Sequence, residues 1–256
     1  MSRGVTVSPP TGFVRTHGGD AVAITLPHLA PAIAEMLARG TLHDQAAAHP
    51  ARRVRMGRAP VYIIPLAGSP LPVVVRHSRH GGALASLTRD RFLAPTRAPY
   101  ELEMSLRLAA LGIASPRIVA YALYPAGPRL NRSDVVTEEI PDSADLAAVL
   151  SGAAPIVSRA ASVSAVTELL VAMGRHGVHH PDLNLKNILI APDGGGVRAV
   201  LLDVDRVRID PSRARAASGN AARLTRSARK WRDRHGAPIT DDEIGTFTTA
   251  ALGGRP

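Results

Sequence analysis

A chain of 256 residues with 45% hydrophobic side chains has apolar material for one large domain or two small lobes, and with 3% aromatics its core must be thin and aliphatic. The absence of cysteine excludes disulfide frameworks and thiolate metal sites and fits a reducing compartment. A formal charge of +10 favours an anionic partner, whether nucleic acid, an anionic lipid surface or a phosphorylated substrate, without choosing among them.

The N-terminus has no apolar signal-like run. The longest apolar window, 163–173, falls short of the ~20 residues a membrane span needs, so a cytoplasmic protein is expected. The first element is a helix over 28–39 ending at Gly40. Two β-rich runs follow, VYIIPL and LPVVVRH, separated by the turn signal AGSP, which predicts a hairpin. Residues 98–111 carry apolar positions at a helical period and stop at Gly112; IASPRIVAYALY and SDVVTEEI are two further strands.

The second half opens with a short helix within 141–150, capped by Asp145 or Ser143, and a longer one through VSAVTELLVAMGRHG that closes at Gly177. NILI, the turn APDGGG and VRAVLLDVD predict another hairpin. The tail, 217–235, reads as a basic helix with Ala221, Leu224, Ala228 and Trp231 on one stripe. Charge concentrates there: residues 206–234 hold ten Arg or Lys against two Asp.

Between the long helix and the second hairpin lies HGVHHPDLNLKNILI (176–190), which crowds polar groups against an apolar strand. Its segment His180 to Asn187 fits the kinase catalytic-loop pattern H-x-D-L-x-x-x-N, and the hairpin after it ends in Asp203. Phosphoryl transfer needs this set of groups: one carboxylate to meet the attacking hydroxyl, and an amide oxygen and a second carboxylate to hold Mg²⁺ against the phosphates. The bland reading of His180, a hydrogen-bonded histidine bracing the loop, is preferred to a chemical role.

With VVVRHSRHGG (73–82), the GRAP turn (57–60), GVHHPDLNLKNIL (177–189), LLDVDR (201–206) and NAARLTRSARK (220–230), the sequence resembles the bacterial lipopolysaccharide kinases, and among them the 3-deoxy-D-manno-octulosonic acid (Kdo) kinases. The resemblance covers roughly residues 50–235 and implies an α+β, small bilobal protein-kinase-like fold with a strand-rich N-lobe and a helical C-lobe. The boundaries expected are 1–45 as an N-terminal extension with one helix, 46–140 as the N-lobe and 141–256 as the C-lobe with its basic C-terminal helix.

The same resemblance implies ATP and Mg²⁺ as cofactors, bound between the lobes, and a sugar hydroxyl of the lipopolysaccharide inner core as acceptor, Kdo on a lipid A precursor in the first instance. Asp182 is then the carboxylate that orients the hydroxyl and takes its proton, and Asn187 and Asp203 are the metal ligands. Asn184 is a catalytic-loop group for the γ-phosphate or the substrate. Arg76 contacts the α- and β-phosphates, Glu101 is its ion-pair partner with Glu103 as the fallback, and Gly57 forms the phosphate-facing turn. Arg79, Gly81 and Gly82 belong either to a mobile turn or to an acceptor-phosphate contact.

Three departures matter. Pro181 replaces the Arg that pairs with a phosphorylated activation loop, so that switch is not expected. Val204 and Asp205 replace the Phe and Gly of D-F-G. GRAP has a single glycine, so nucleotide affinity is expected to be modest.

The remaining partner implied is an anionic membrane surface contacted through 217–235, which puts the protein in the cytoplasm on the inner face of the cytoplasmic membrane. Two rivals stand beside this reading: a kinase of another acceptor (heptose, a soluble small molecule or a protein) and a non-enzymatic basic module binding nucleic acid. Residues 206–234 hold one Trp and no Phe or Tyr, which gives stacking readout of nucleic acid little support.

Overall fold

The computed structural model describes residues 8–56, 59–79, 90–93, 96–154 and 158–253. They fall into two units, one of residues 1–103 and 117–139, the other of 104–116 and 140–256.

The first unit is built on an antiparallel sheet in which β1 (Val14–Gly18) and β2 (Ala21–Thr25) form a hairpin at one edge. Helices α1 (Ala30–Arg39) and α2 (Leu42–Ala48) follow, then β3 (Arg53–Met56), β4 (Pro60–Ile64), β5 (Val73–His77) and the short β6 (Phe92–Leu93). After α3 (Arg97–Ala110) come β7 (Ile118–Pro125) and β8 (Leu130–Glu138). The strand order is β1-β2-β7-β8-β5-β4-β3, with β6 also on β8. The expected hairpin is present, with Tyr62 opposite Val75 and Ile63 opposite Val74.

The stretch before residue 46 carries more than the single helix expected: β1 and β2 are strands of the sheet, and β2 pairs with β7 from Val22–Leu123 to Thr25–Ala120. Ile33, Met36, Leu37, Leu42 and Ala46 of the two helices are buried with Val73, Val75, Ala120 and Val136 of the strands. Gly18 permits this packing, because a Cβ there would lie 2.4 Å from the Cβ of Leu37.

The second unit begins with the C-terminal part of α3, which ends ahead of Gly112 in a left-handed conformation (φ +71°). Past β9 (Ala144–Asp145), Asp145 caps α4 (Leu146–Leu150) by accepting from Ala148 N at 2.8 Å, while the Ser143 hydroxyl donates to the Ile140 carbonyl. Helix α5 (Arg159–Arg175) leads to β10 (Val178–His179). The hairpin β11 (Ile188–Asp193) and β12 (Gly196–Leu201) turns through Gly194 and Gly195, both at positive φ (52° and 91°), as a two-residue hairpin requires. After β13 (Arg208–Ile209), the basic helix α6 (Arg213–His235) starts four residues before the expected 217, because Ser212 caps it by accepting from Arg215 N.

A last helix, α7 (Asp241–Ala251), carries a capping box of Thr240 and Glu243. Arg159 of α5 clamps the Glu243 carboxylate with Nε at 2.6 Å and Nη2 at 2.9 Å. The aliphatic core of this unit gathers Leu169, Leu170 and Met173 of α5, Ile188 and Leu201 of the hairpin, Leu224 and Ala228 of α6 and Phe247 of α7. Among the described residues no helix is long and apolar enough to cross a membrane.

Candidate active site

The loop after β10 is held from below by groups that carry no charge. His180 is fully buried, its Nδ1 accepts from Asp182 N at 3.1 Å, and its Nε2 lies 3.0 Å from the Leu202 carbonyl. An acceptor Nδ1 fixes the proton on Nε2, so the ring is the neutral tautomer bridging the loop to the strand that carries Asp203. Burial drives its pKa below the ordinary histidine value, and the carbonyl of Leu202 and the charges of Asp203 and Asp182 oppose that shift. His180 is therefore a brace.

Helix α6 supplies the second support. Asn220 is buried, accepts from His180 N at 3.0 Å and donates to the Val178 carbonyl at 2.8 Å; Ser227 accepts from Leu185 N at 3.2 Å. At Gly219 the helix passes so close that a Cβ would lie 2.7 Å from Nε2 of His179. NAARLTRSARK was visible in the sequence, but nothing in a single chain says that its first Asn and its Ser reach back forty residues to this loop.

Within the loop, the Asp182 carbonyl receives two amide donors, Nδ2 of Asn184 at 2.8 Å and Nδ2 of Asn187 at 3.0 Å. Asn184 also caps the 3₁₀ turn Leu185–Asn187 by accepting from Lys186 N at 2.9 Å. Because Asn187 spends its nitrogen on the loop, its amide oxygen is the atom left for a cation. Leu202 N donates to the Asn187 carbonyl at 2.9 Å, tying the loop to the end of β12.

Asp203 follows in a left-handed conformation (φ 53°, ψ 47°), at the head of a 3₁₀ turn over Val204–Arg206, and it is exposed. A non-glycine residue there is a strained placement that Asp tolerates better than most, and such outliers gather at functional positions. Neither the Asp182 nor the Asp203 carboxylate has a hydrogen-bond or ion-pair partner among the described residues, although both act electrostatically on His180. The Asp203 carboxylate and the Asn187 amide oxygen are oxygen donors of the kind a hard cation such as Mg²⁺ takes.

In the first unit, Arg76 at the end of β5 is paired with Glu101 of α3, which settles the choice against Glu103: Glu101 is buried, and Glu103, two residues on and so about 200° around the helix, is exposed. The neighbouring His77 is a feature that sequence reasoning did not single out. Its Nδ1 lies 2.6 Å from Asp134 and its Nε2 3.1 Å from Asp90, while Arg132 stands 3.0 Å from the same Asp90 oxygen. Asp134 is fully buried and also accepts from the Tyr124 hydroxyl at 2.8 Å and from His43 N at 2.9 Å. With a carboxylate on each ring nitrogen, His77 is held as the imidazolium; the Asp134 hydrogen bond raises its pKa and outweighs the opposing effect of burial. Gly57, Gly81 and Gly82 lie outside the described residues, and Arg79 is exposed.

A braced His-x-Asp loop followed by a hairpin that ends in a second carboxylate, with an Arg–Glu pair on a separate strand-rich unit, defines the class of kinase-like phosphotransferases. Residues 69–249 match the lipopolysaccharide kinase (Kdo/WaaP) family, and the chain belongs to it. It is an ATP-dependent kinase acting on a sugar.

It is 27% identical over 197 residues to the 3-deoxy-D-manno-octulosonic acid kinase of Vibrio parahaemolyticus, covering 72% of this chain and 79% of that one. To the enzyme of the same name from Xanthomonas oryzae pv. oryzae it is 33% identical over 176 residues, 66% of this chain and 67% of the relative. The solved structure of WaaP in complex with acyl carrier protein shares the fold, with a TM-score of 0.52, 22% identity, and coverage of 80% of this chain and 79% of that one.

Proposed function

We propose that this enzyme transfers the γ-phosphate of ATP to a hydroxyl of Kdo on a lipid A precursor, working on the inner face of the cytoplasmic membrane. The observation that carries the reading is the pair of uncompensated carboxylates, Asp182 on a loop braced by His180, Asn220 and Ser227, and Asp203 after the hairpin that follows it. Kinship with Kdo kinases supports the choice of sugar.

Asp182 accepts the proton of the attacking hydroxyl as the new P–O bond forms and ADP leaves. The brace through His180 and Asn220 keeps that carboxylate in place, so little reorganisation is needed during transfer. Asn187 Oδ1 and Asp203 hold Mg²⁺, which when bound neutralises phosphate charge. Arg76, oriented by Glu101, contacts the α- and β-phosphates. Asn184, with one amide hydrogen not used by the loop, donates to the γ-phosphate or the acceptor.

The basic face of α6 is the proposed membrane contact. Arg223, Arg226, Lys230 and Arg234 are exposed and make no ion pair among the described residues, whereas Arg232 on the same helix is neutralised by Asp241 and Asp233. Ala221, Leu224 and Ala228 face the core, so the cations lie on the opposite side of the helix, with Asp233 the acid beside them.

The test is transfer of labelled phosphate from ATP to a panel of acceptors, namely Kdo-bearing lipid A precursor, the same sugar without its lipid, a heptose acceptor and a protein. The lipid-linked Kdo acceptor should be labelled fastest; labelling of heptose or protein in its place would move the enzyme to another acceptor. Sedimentation with anionic vesicles across a salt series checks the surface contact: wild type should co-sediment at low salt, and the variant with Gln at the four basic positions should not. If acyl carrier protein retains the enzyme and vesicles do not, the basic face serves a protein.

A further inference from the structure

We infer that Lys186 is the specificity-determining cation of the acceptor site, pairing with the carboxylate that an octulosonic acid carries beside its hydroxyls. The inference rests on the reading of Asp182 given above.

Three consecutive side chains of the 3₁₀ turn diverge. Leu185 is fully buried, the Asn187 amide turns back to the Asp182 carbonyl, and Lys186 is exposed. A lysine four residues after the catalytic carboxylate, on a loop whose backbone is pinned at Lys186 N by Asn184 and at Leu185 N by Ser227, has a defined starting point in spite of its long stem.

Its ammonium is also defined, lying 5.5 Å from the centroid of the Trp231 ring, within cation–π range. Trp231 is in turn partly buried against the core and stacked on His235, with ring centroids 4.5 Å apart and planes 37° apart. An aromatic platform restricts a lysine without neutralising it. Lys186 makes no ion pair among the described residues, in contrast to Arg159, Arg76 and Arg232, each of which has a carboxylate.

A cation that is preorganised, exposed and without an ion pair among the described residues, four residues along the loop from the group that receives the acceptor hydroxyl, is suited to reading an anion on the acceptor itself. Phosphates of the nucleotide or of lipid A offer the same charge, so the experiment must separate them from the sugar acid. Trp231, which touches no reacting atom, is a positioning residue.

The experiment compares kcat/KM for the Kdo acceptor and for its methyl ester, which keeps the hydroxyls and any lipid phosphate and removes the negative charge of the carboxylate. Wild type should favour the acid by about 10-fold, the size of one well-placed charge-assisted contact. Lys186→Met should bring the ratio close to one by lowering the acid value, Lys186→Arg should keep most of the preference, and Trp231→Leu should lose part of it. The KM for ATP should not move in Lys186→Met. An acid-to-ester ratio unchanged by Lys186→Met, or a change confined to the KM for ATP, overturns the inference. A wild-type enzyme that phosphorylates neither compound overturns the acceptor assignment and this inference with it, an outcome distinct from an active enzyme that is indifferent to Lys186.

Discussion

The two units of this kinase hold the polar groups of their candidate sites by opposite means. In the first, charge is met by charge: Arg76 by Glu101, Arg53 by Glu139, and His77 by two carboxylates. In the second, the catalytic loop is held by neutral hydrogen bonds from His180, Asn220, Ser227 and the two loop asparagines, and the carboxylates of Asp182 and Asp203 are left uncompensated. The difference follows from what each must do. A group that orients phosphates can be fixed by a permanent counter-ion, whereas one that accepts a proton or binds a metal would be disabled by one. Neutral bracing gives rigidity and leaves the charge available.

The most direct way to break this contrast is to remove the uncompensated charge. Asp182→Asn keeps the shape of the side chain and both amide contacts to its own carbonyl, so the fold and the affinity for ATP should survive while turnover falls by roughly 100-fold or more. Single-turnover transfer and ATP calorimetry on the same preparation separate the two. Near-normal transfer would remove Asp182 from the chemistry.

A smaller effect is expected from the brace. Asn220→Ala leaves two buried backbone groups, His180 N–H and the Val178 carbonyl, without partners, which should cost about 2–3 kcal/mol of stability. Turnover should fall about 10-fold through the loosened loop, with ATP affinity unchanged. Asn220→Asp keeps the acceptor for His180 N–H and should recover part of the turnover, which a purely packing role for the side chain would not produce. Thermal unfolding beside kcat for the two variants is the measurement.

How much of this was legible depends on sequence distance. The loop, its following hairpin and the glycine turn between the strands are local patterns, and the structure has them in that order, with β11 running on through Asp193 into the expected turn and β12 ending at Leu201, short of Asp203. Glu101 against Glu103 was a question of helix phase, and α3 carries two apolar stripes, Ala98 and Leu102 in one core, Met104 and Leu108 in another, so periodicity alone left both open. The strands at 14–25 were missed because VRTHG and AVAIT are short; VRTHG pairs only with AVAIT, and the strand that ties AVAIT into the sheet lies about a hundred residues on. Helix α7 announced itself in Thr240-Asp-Asp-Glu243, a capping-box spelling that was readable and went unread. The partners of His77 stand 13 and 57 residues away, and no local pattern joins them.

That histidine sharpens the comparison through pH, with the smallest effect. His77 is raised above the ordinary 6.5, first by its hydrogen bond to Asp134, against burial and with help from Asp90. Asp90 is lowered: burial pushes it up, and the His77 hydrogen bond and the Arg132 charge together outweigh that. The Tyr124 hydroxyl and His43 N also face Asp134, and the His43 ring sits 5.5 Å from the His77 ring. A histidine raised on folding contributes stability that is complete below pH 6.5 and is lost as pH rises through its folded value; a lowered Asp90 contributes stability that is lost as pH falls through its own. His180 has the opposite sign: driven neutral by burial, it withdraws stability as pH falls below 6.5. The alkaline limb of a stability profile should therefore belong to the first unit and part of the acid limb to the second. Unfolding midpoints measured from pH 5 to 9 should fall on the alkaline side in wild type and flatten there in His77→Gln, with the acid side kept. Imidazole NMR titration is the closer check: one buried histidine should stay protonated above pH 6.5 and another neutral below it. If both titrate together near 6.5, the two units do not differ in the way their charges are held.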